Sequence, residues 1–445
     1  MKKVLSILFV LAAVLFIFSQ QAFAAEAVSL ERYLGMVREG NPALRSNLRS
    51  VEAAYFGVLA SVAPQRPSAG LSGSASYVTD QRAQTAAGTV SDRNSMTYNT
   101  SLALTQRIDI SGTNTLDERQ QILFYEGQRA RFDDNVNSLV AAAEKTYWFA
   151  VWARENIALQ NDVLRQRREN NRVTEEKYRQ QLVPRLDLIR SEAQVVAAEA
   201  LVTEAHAQYR NILSSMTALT GGIEVVPIEE PLLVPAFDVL VSMEKALAYR
   251  PDVREAKLAV ERGKVVKRLT AKGMSPTLTG SVRWTPWSDP WNSSSPQKGE
   301  VGASLTLNIP ILDGNATRYG VLNTDRLIQA AEANLQSVEN NVRMDLTVAR
   351  NNWEMAEALE KAKKRQVERS DEELRITELM YNEGMGAQID LINAQTENQQ
   401  VRTDYLNSIQ GMYTALVELH KAVGDYAPNE NGTWKEAVTR YGKGK

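Results

Sequence analysis

The residues able to do chemistry are few, and none is set beside a partner. His206 and His420 are the only histidines among 445 residues, and cysteine is absent. The two imidazoles fall at unrelated places in the internal repeat set out below and have no thiolate partner. They read as ordinary helix residues, not as metal ligands. No glycine-rich phosphate loop follows a strand, and no nucleophile motif is present. Aspartate and glutamate are scattered along helical stretches, where a solvated face explains them. This inventory predicts neither an enzyme nor a bound cofactor or metal.

The N-terminus carries an address. Lys2 and Lys3 precede an apolar run over residues 4–18, and Ala22-Phe23-Ala24 then sets small residues at −3 and −1 before Ala25. That pattern predicts a cleaved secretory signal over residues 1–24. The apolar run is shorter than the ~20 residues of a spanning helix. With no cysteine, no disulfide and no lipoprotein-type anchor are expected. Without Lys2 and Lys3 the 51 basic residues become 49 against 53 acidic, a net of −4. Such a balance argues against nucleic acid as a partner. No later run of 18 apolar residues exists, so any membrane crossing must be made by strands.

The elements that position these residues come in duplicate. Asn41-Pro42 and Arg250-Pro251 each open a helical run, and Pro67 and Pro276 each precede an alternating stretch. Tyr178, Asp187, Leu188 and Ile189 recur as Tyr381, Asp390, Leu391 and Ile392, at an offset of 203 in every pair. The same offset carries Thr220-Gly221 onto Val423-Gly424. Each half reads helix, strand, strand, long helix, turn, helix. The repeats are assigned to residues 25–221 and 241–424, with equatorial segments at 222–240 and 425–445.

Four segments alternate with period two. Leu71, Gly73, Ala75 and Tyr77 oppose Ser72, Ser74 and Ser76. In the second, Met96, Tyr98, Thr100, Leu102 and Leu104 oppose Thr97, Asn99, Ser101 and Thr105. In the third, Leu278, Gly280, Val282 and Trp284 oppose Thr277, Thr279, Ser281 and Arg283. Val301, Ala303, Leu305, Leu307 and Ile309 oppose Gly302, Ser304, Thr306 and Asn308 in the last. Strands are expected at about 68–79, 96–108, 276–287 and 300–310, the length of tilted membrane strands. Tyr77, Tyr98, Trp284, Trp287 and Trp291 lie toward the strand ends, where an interfacial aromatic belt would sit. A half-buried soluble sheet alternates in the same way. Four strands cannot close a membrane barrel, which needs about 8 or more. In a membrane the chain must therefore oligomerise, as two copies or as three. The links at 80–95 and 287–299 are polar and read as exposed loops.

Helices of near 65 residues are expected at about 114–178 and 316–381, each ~100 Å long at the α-helical rise. Leu335, Val338, Val342, Leu346, Ala349, Trp353 and Ala356 step by 3 or 4, which is coiled-coil spacing. Shorter helices at about 42–63, 186–219, 252–271 and 391–423 could lie in stacked pairs beside the long ones. The turns near 179–186 and 382–389 then fall at the end far from the strands. The segments 222–240 and 425–445 read as irregular.

This layout resembles the TolC or outer-membrane efflux protein family over essentially the whole mature chain. Pro276 before a strand, Ile309-Pro310-Ile311-Leu312-Asp313-Gly314 at the last strand-to-helix passage, and Tyr381-Asn382-Glu383-Gly384 leading to Asp390-Leu391-Ile392 carry the likeness. It implies a mainly α, duplicated TolC-like fold with a membrane β-barrel, 12-stranded in a homotrimer, and a helical tunnel through the periplasm. Outer-membrane lipid, a periplasmic adaptor protein and an inner-membrane transporter are the implied partners. The resemblance makes the helical tips the adaptor-docking elements, with Tyr178, Gln181, Pro184, Tyr381, Gly384 and Gly386 as candidates. It also sets Asp187, Asp390 and Asn393 at the pore constriction. Asn393 stands where some members carry another aspartate, and Gln181 where the second tip has Gly384. For the two aspartates, dipole stabilisation of a first helical turn is the competing role.

The expected function is a passive exit duct for small toxic compounds. A duct for secreted proteins shares the architecture, and a periplasmic coiled-coil structural protein or adhesin is the reading from a different class.

Overall fold

The structure is a computed structural model that describes residues 26–78, 82–84, 90–92, 95–228, 231–235, 243–290 and 299–428. The signal segment 1–24, Trp291 and most of 425–445 lie outside the described residues. Two compact units divide the chain, one from residues 49–131 and 252–338, the other from the remainder.

The sheet unit holds β2 (Ser68–Val78), β5 (Ser95–Ile108), β7 (Thr277–Pro290) and β8 (Glu300–Asn308). They pair in the order β2-β5-β7-β8, antiparallel throughout. The link between β2 and β5, read as an exposed loop, contains two three-residue strands, β3 (Arg82–Gln84) and β4 (Val90–Asp92), which pair with each other. β7 also runs three residues further than expected, into what reads as a loop. Strand passes into helix at two acidic caps. Asp109 accepts the amides of Thr113 (3.0 Å) and Asn114 (3.0 Å), and Asp313 those of Asn315 (3.0 Å) and Thr317 (2.8 Å). The amides of Thr113, Asn114 and Thr317 are first-turn N–H groups that a helix cannot satisfy internally, and Asn315 donates from just before its helix. Helix α2 (Pro42–Val62) leads toward β2 and α6 (Pro251–Ala271) toward β7. Arg131–Glu255 (2.9 Å) and Lys267–Asp325 (2.5 Å) tie α6 to the long helices that leave the sheet.

Those long helices, α3 (Thr113–Arg179) and α7 (Ala316–Asn382), are 67 residues each. Each turns into a return helix, α4 (Arg185–Leu219) or α8 (Gln388–Val423). In the hairpin unit the 3.5-spaced apolar positions of α7 are interior: Val342, Leu346, Ala349, Trp353 and Ala356 are all buried. Trp353 and Ala356 pack on Met412 and Ala415 of α8, and Leu374 and Tyr381 on Leu391 and Ala394. Trp148 of α3 stacks on Tyr413 of α8 at 3.9 Å between ring centres.

A further core contains elements that periodicity does not reveal. Strand β1 (Glu26–Val28) pairs in parallel with β6 (Val225–Pro227), so the segment 222–240 is not wholly irregular as expected. Helix α1 (Leu30–Gly40) sits before Pro42, and its second-repeat counterpart is α5 (Met243–Tyr249) before Pro251. Val28, Tyr33, Val37, Tyr147, Met216 and Val225 close this core, and the Tyr147 hydroxyl donates to the Val28 carbonyl at 3.3 Å. The residue before each proline repeats one job with different chemistry. Asn41 Nδ2 donates to the Leu219 carbonyl (2.9 Å), and Arg250 Nη1 to that of Ala422 (3.3 Å). Each donor thus reaches a carbonyl at the end of a return helix, where no intrahelical partner exists.

Candidate functional site

The sheet register resolves the two faces. Leu71 pairs with Leu102, Leu102 with Trp284 and Trp284 with Val301; one row lower, Leu104 pairs with Val282 and Val282 with Ala303. Side chains opposite one another share a face. The apolar sets of all four strands therefore fall on the same side, and Leu71, Tyr77, Trp284, Val301 and Leu305 are exposed there. On the other side hydroxyls meet across the strands, Ser72 with Ser101 at 2.9 Å and Ser281 with Ser304 at 2.8 Å. Between Thr100 and Leu102 the register with β7 shifts: Leu102 pairs with Trp284 but Thr100 with Trp287. The bulge adds one residue to β7 and restores its phase.

The hairpin tips share one backbone motif. The amide of Leu182 bonds the Lys177 carbonyl (2.9 Å) and that of Gln181 the Tyr178 carbonyl (2.9 Å). The same bonds recur at Met385 to Met380 (2.9 Å) and Gly384 to Tyr381 (3.2 Å). This is the Schellman C-cap, whose C′ residue must adopt a left-handed conformation. Gly384 does so at φ 76°, and Gln181 does so at φ 60° without being glycine. Pro184 and Ala387 then occupy the matching N-cap positions of α4 and α8.

Around that shared backbone the side chains differ. Tyr178 is 37% exposed, whereas its counterpart Tyr381 is 4% exposed. The Tyr381 hydroxyl lies 3.4 Å from Thr174 Oγ1, and Lys177 Nζ sits 3.9 Å above its ring while bonding its carbonyl at 3.0 Å. Gln388, buried, donates to Thr174 Oγ1 (3.3 Å) and to the carbonyl of Asp187 (3.1 Å). Asp187 is half-buried, with Arg190 at 3.8 Å, while Asp390 and Asn393 are exposed one turn apart on α8. Both aspartates lie in first helical turns, where they also complement the dipole. Gly384 is exposed and Gly386 half-buried. Reasoning from the sequence missed Leu182 and Met385, the apolar residues that follow the left-handed position. They are 68% and 69% exposed, and their shared offset of 203 was the available signal.

The two hairpins of this unit meet through polar groups. Arg167 on α3, only 2% exposed, donates to Gln395 Oε1 (2.7 Å) and Thr396 Oγ1 (3.0 Å) of α8. Gln399 donates to Gln160 (3.1 Å), and Lys145 pairs with Glu418. Burial lowers the Arg167 pKa from its ordinary value.

A four-stranded antiparallel sheet with one apolar face, in a chain that also holds two repeated long helical hairpins, defines a TolC-like channel protein. A family model described as outer membrane efflux protein matches residues 33–222 and 243–425, and the chain belongs to that family. It is a protein of the outer membrane, with its helices in the periplasm. Nodulation protein T of Rhizobium leguminosarum bv. trifolii is 25% identical over 312 residues, 65% of this chain and 62% of that relative. The chain thus spans less than two thirds of that relative's length. The crystal structure of a membrane protein from Pseudomonas aeruginosa superposes with a TM-score of 0.78 at 18% identity, covering 90% of this chain and 91% of that one. The open state of the Neisseria gonorrhoeae MtrE outer membrane channel superposes at 0.74 and 20% identity, covering 89% and 88%.

Proposed function

We propose that this chain is the exit duct of a tripartite efflux system, a passive homotrimeric channel that conducts small toxic compounds received from an inner-membrane transporter through a periplasmic adaptor. The observation that carries the reading is the pair of free sheet edges. β2 and β8 end the described sheet and run in opposite directions. In lipid each unpaired backbone group costs several kcal/mol. β8 of one copy can pair antiparallel with β2 of the next, and three copies make a 12-stranded ring. The hairpin unit supports the same association. α4 leaves Leu186, Ile189 and Val196 exposed, and α7 leaves Met344, Val348, Met355 and Leu359 exposed, stripes that a neighbouring copy would cover.

In this reading the repeats occupy residues 25–221 and 241–424, behind a signal removed at residue 24. The tips dock the adaptor through Tyr178, Leu182 and Met385, and Gln181, Pro184, Gly384 and Gly386 shape the turns. Tyr381 acts from inside, holding the second tip against Thr174 and Lys177. Three copies each of Asp187 and Asp390 concentrate negative potential at the constriction, with Asn393 beside them. Tyr77, Tyr98 and Trp284 form the interfacial belt. No residue is assigned to catalysis, so the energy for export is the transporter's.

Planar-bilayer recording of the purified protein tests the duct, with a heat-sensitive trimer on a gel as the companion measurement. Steady single-channel conductance is expected, and its absence overturns the proposal. Asp390→Ala is expected to lower cation selectivity; unchanged selectivity leaves Asp390 only its place in the first turn of α8.

A further inference from the structure

The apolar face of the sheet does not stop where the strands stop. Ile108 ends β5 and Ile110 follows it; Leu307, Ile309 and Ile311 continue the β8 alternation past Asn308. Ile311 and Leu312 are 88% and 89% exposed, the highest values among the described large hydrophobics. All four passages between strand and helix lie in one layer of the sheet unit, because Ser68 pairs with Thr105, Ile108 with Leu278 and Thr277 with Asn308.

Cations stand in the same layer. A Cβ on Gly273 would come within 2.5 Å of the Thr317 hydroxyl, so the Gly273 backbone lies against the Thr317 side chain. That contact sets their chain neighbours Lys272 and Arg318, both exposed, at the same level of the sheet unit. Arg268, one turn earlier on α6, is also exposed. Three carboxylates of this part of the unit are used elsewhere: Asp109 and Asp313 accept helix amides, and Asp325 pairs with Lys267. The matching stretch of α2 is different in kind, with Phe56 and Leu59 exposed and no charged residue from 53 to 65.

We propose that this junction is a docking surface for the phospholipid leaflet on the periplasmic side of the outer membrane, with Ile110, Ile309, Ile311 and Leu312 immersed at headgroup depth and Lys272, Arg318 and Arg268 binding anionic headgroups. The proposal rests on the membrane reading of the sheet. Two features name the occupant: the patch is continuous with the lipid-type face of the strands, and its charge complements an anionic phosphate layer.

The absence of cysteine makes a direct test clean. Ile311→Cys, labelled with a nitroxide, is reconstituted as the full-length channel in vesicles of phosphatidylethanolamine and phosphatidylglycerol, beside Glu332→Cys as a helix-surface reference. The label at 311 is expected to be reached by oxygen more readily than by a water-soluble nickel complex, and the one at 332 the reverse. Spin-labelled phosphatidylglycerol is expected to associate more strongly than spin-labelled phosphatidylcholine. The preference should fall about fivefold for each of Lys272→Gln and Arg318→Gln, and should fade at high salt. A water-like profile at 311, or a lipid preference that K272Q and R318Q leave intact, overturns the proposal. If Ile311→Ser with Leu312→Ser abolishes the oligomer but keeps the lipid preference, the pair is buried between copies and the proposal also fails. Failure of the wild-type protein to enter vesicles would instead overturn the membrane reading beneath it.

Discussion

Gln181 sustains a left-handed backbone, φ 60°, that its counterpart Gly384 adopts without a Cβ. An L-residue there costs about 1 kcal/mol. Gln181→Gly should raise stability by about that amount, read as a higher thermal midpoint, while Gly384→Gln lowers it. The junction aspartates carry a pH signature. Burial alone would raise the Asp109 carboxyl, but the amides of Asn114, Thr113, Thr115 and Gly112 outweigh it and hold the group below the ordinary aspartate range. The Thr317 hydroxyl and amide do the same for Asp313. A depressed folded value means that this contribution is complete above the unfolded value near 4 and is lost as pH falls through the folded one. Asp109→Ala should therefore cost about 1 kcal/mol at neutral pH, and the gap from wild type should narrow in acid unfolding below about pH 4.

Among the elements, the sheet and the hairpins make opposite demands on polar groups. Val282 sits within the apolar face of β7, and Ser281 beside it faces the hydroxyl side. In a membrane an arginine on the lipid side costs about 2–4 kcal/mol at mid-depth. Val282→Arg should reduce the yield of folded oligomer, and Ser281→Arg should keep the yield and shift conductance. In the hairpin unit the buried guanidinium of Arg167 is answered by an amide and a hydroxyl, not a carboxylate. Arg167→Ala leaves a void and strands Gln395 and Thr396, a loss of about 2–4 kcal/mol. Arg167→Met refills the space and should lose less than half as much. Chemical unfolding of the two variants side by side separates lost packing from lost charge.

Over the whole molecule, legibility followed the length of the pattern. Sixty-seven residues of helix and nine to fourteen of alternating strand leave enough periods to be read. The coiled-coil positions of α7 from Val342 to Ala356 were identified residue by residue. Three-residue strands such as β1 and β6 hold too little period to register, and their pairing joins residues about 200 apart in the chain. The bulge of β7 between the partners of Thr100 and Leu102 was hidden because it is a property of two strands together. At the tips, Asp187 and Asp390 were visible by repetition, but burial was not. Tyr178 and Tyr381 are the same residue at the same offset, and only packing against Thr174 and Lys177 tells them apart. The number of copies, the docking partner and the cargo depend on surfaces that meet other molecules; the strand count calls for association but does not set how many copies join.

The opposed directions of β2 and β8 bear on assembly kinetics. A head-to-tail pair of copies still has one raw β2 and one raw β8, as a single copy does. Each pairing removes one β2 edge and one β8 edge, but every open assembly, whatever its size, still carries one of each, and only the closing contact leaves none. The closing contact also needs no further copy, so it is favoured once the last copy has joined. A crosslinking time course during refolding into vesicles should trap monomer and closed ring with little between them. A subunit able to offer only one sound edge should halt the copies it joins, making such a variant dominant over wild type when the two are co-expressed.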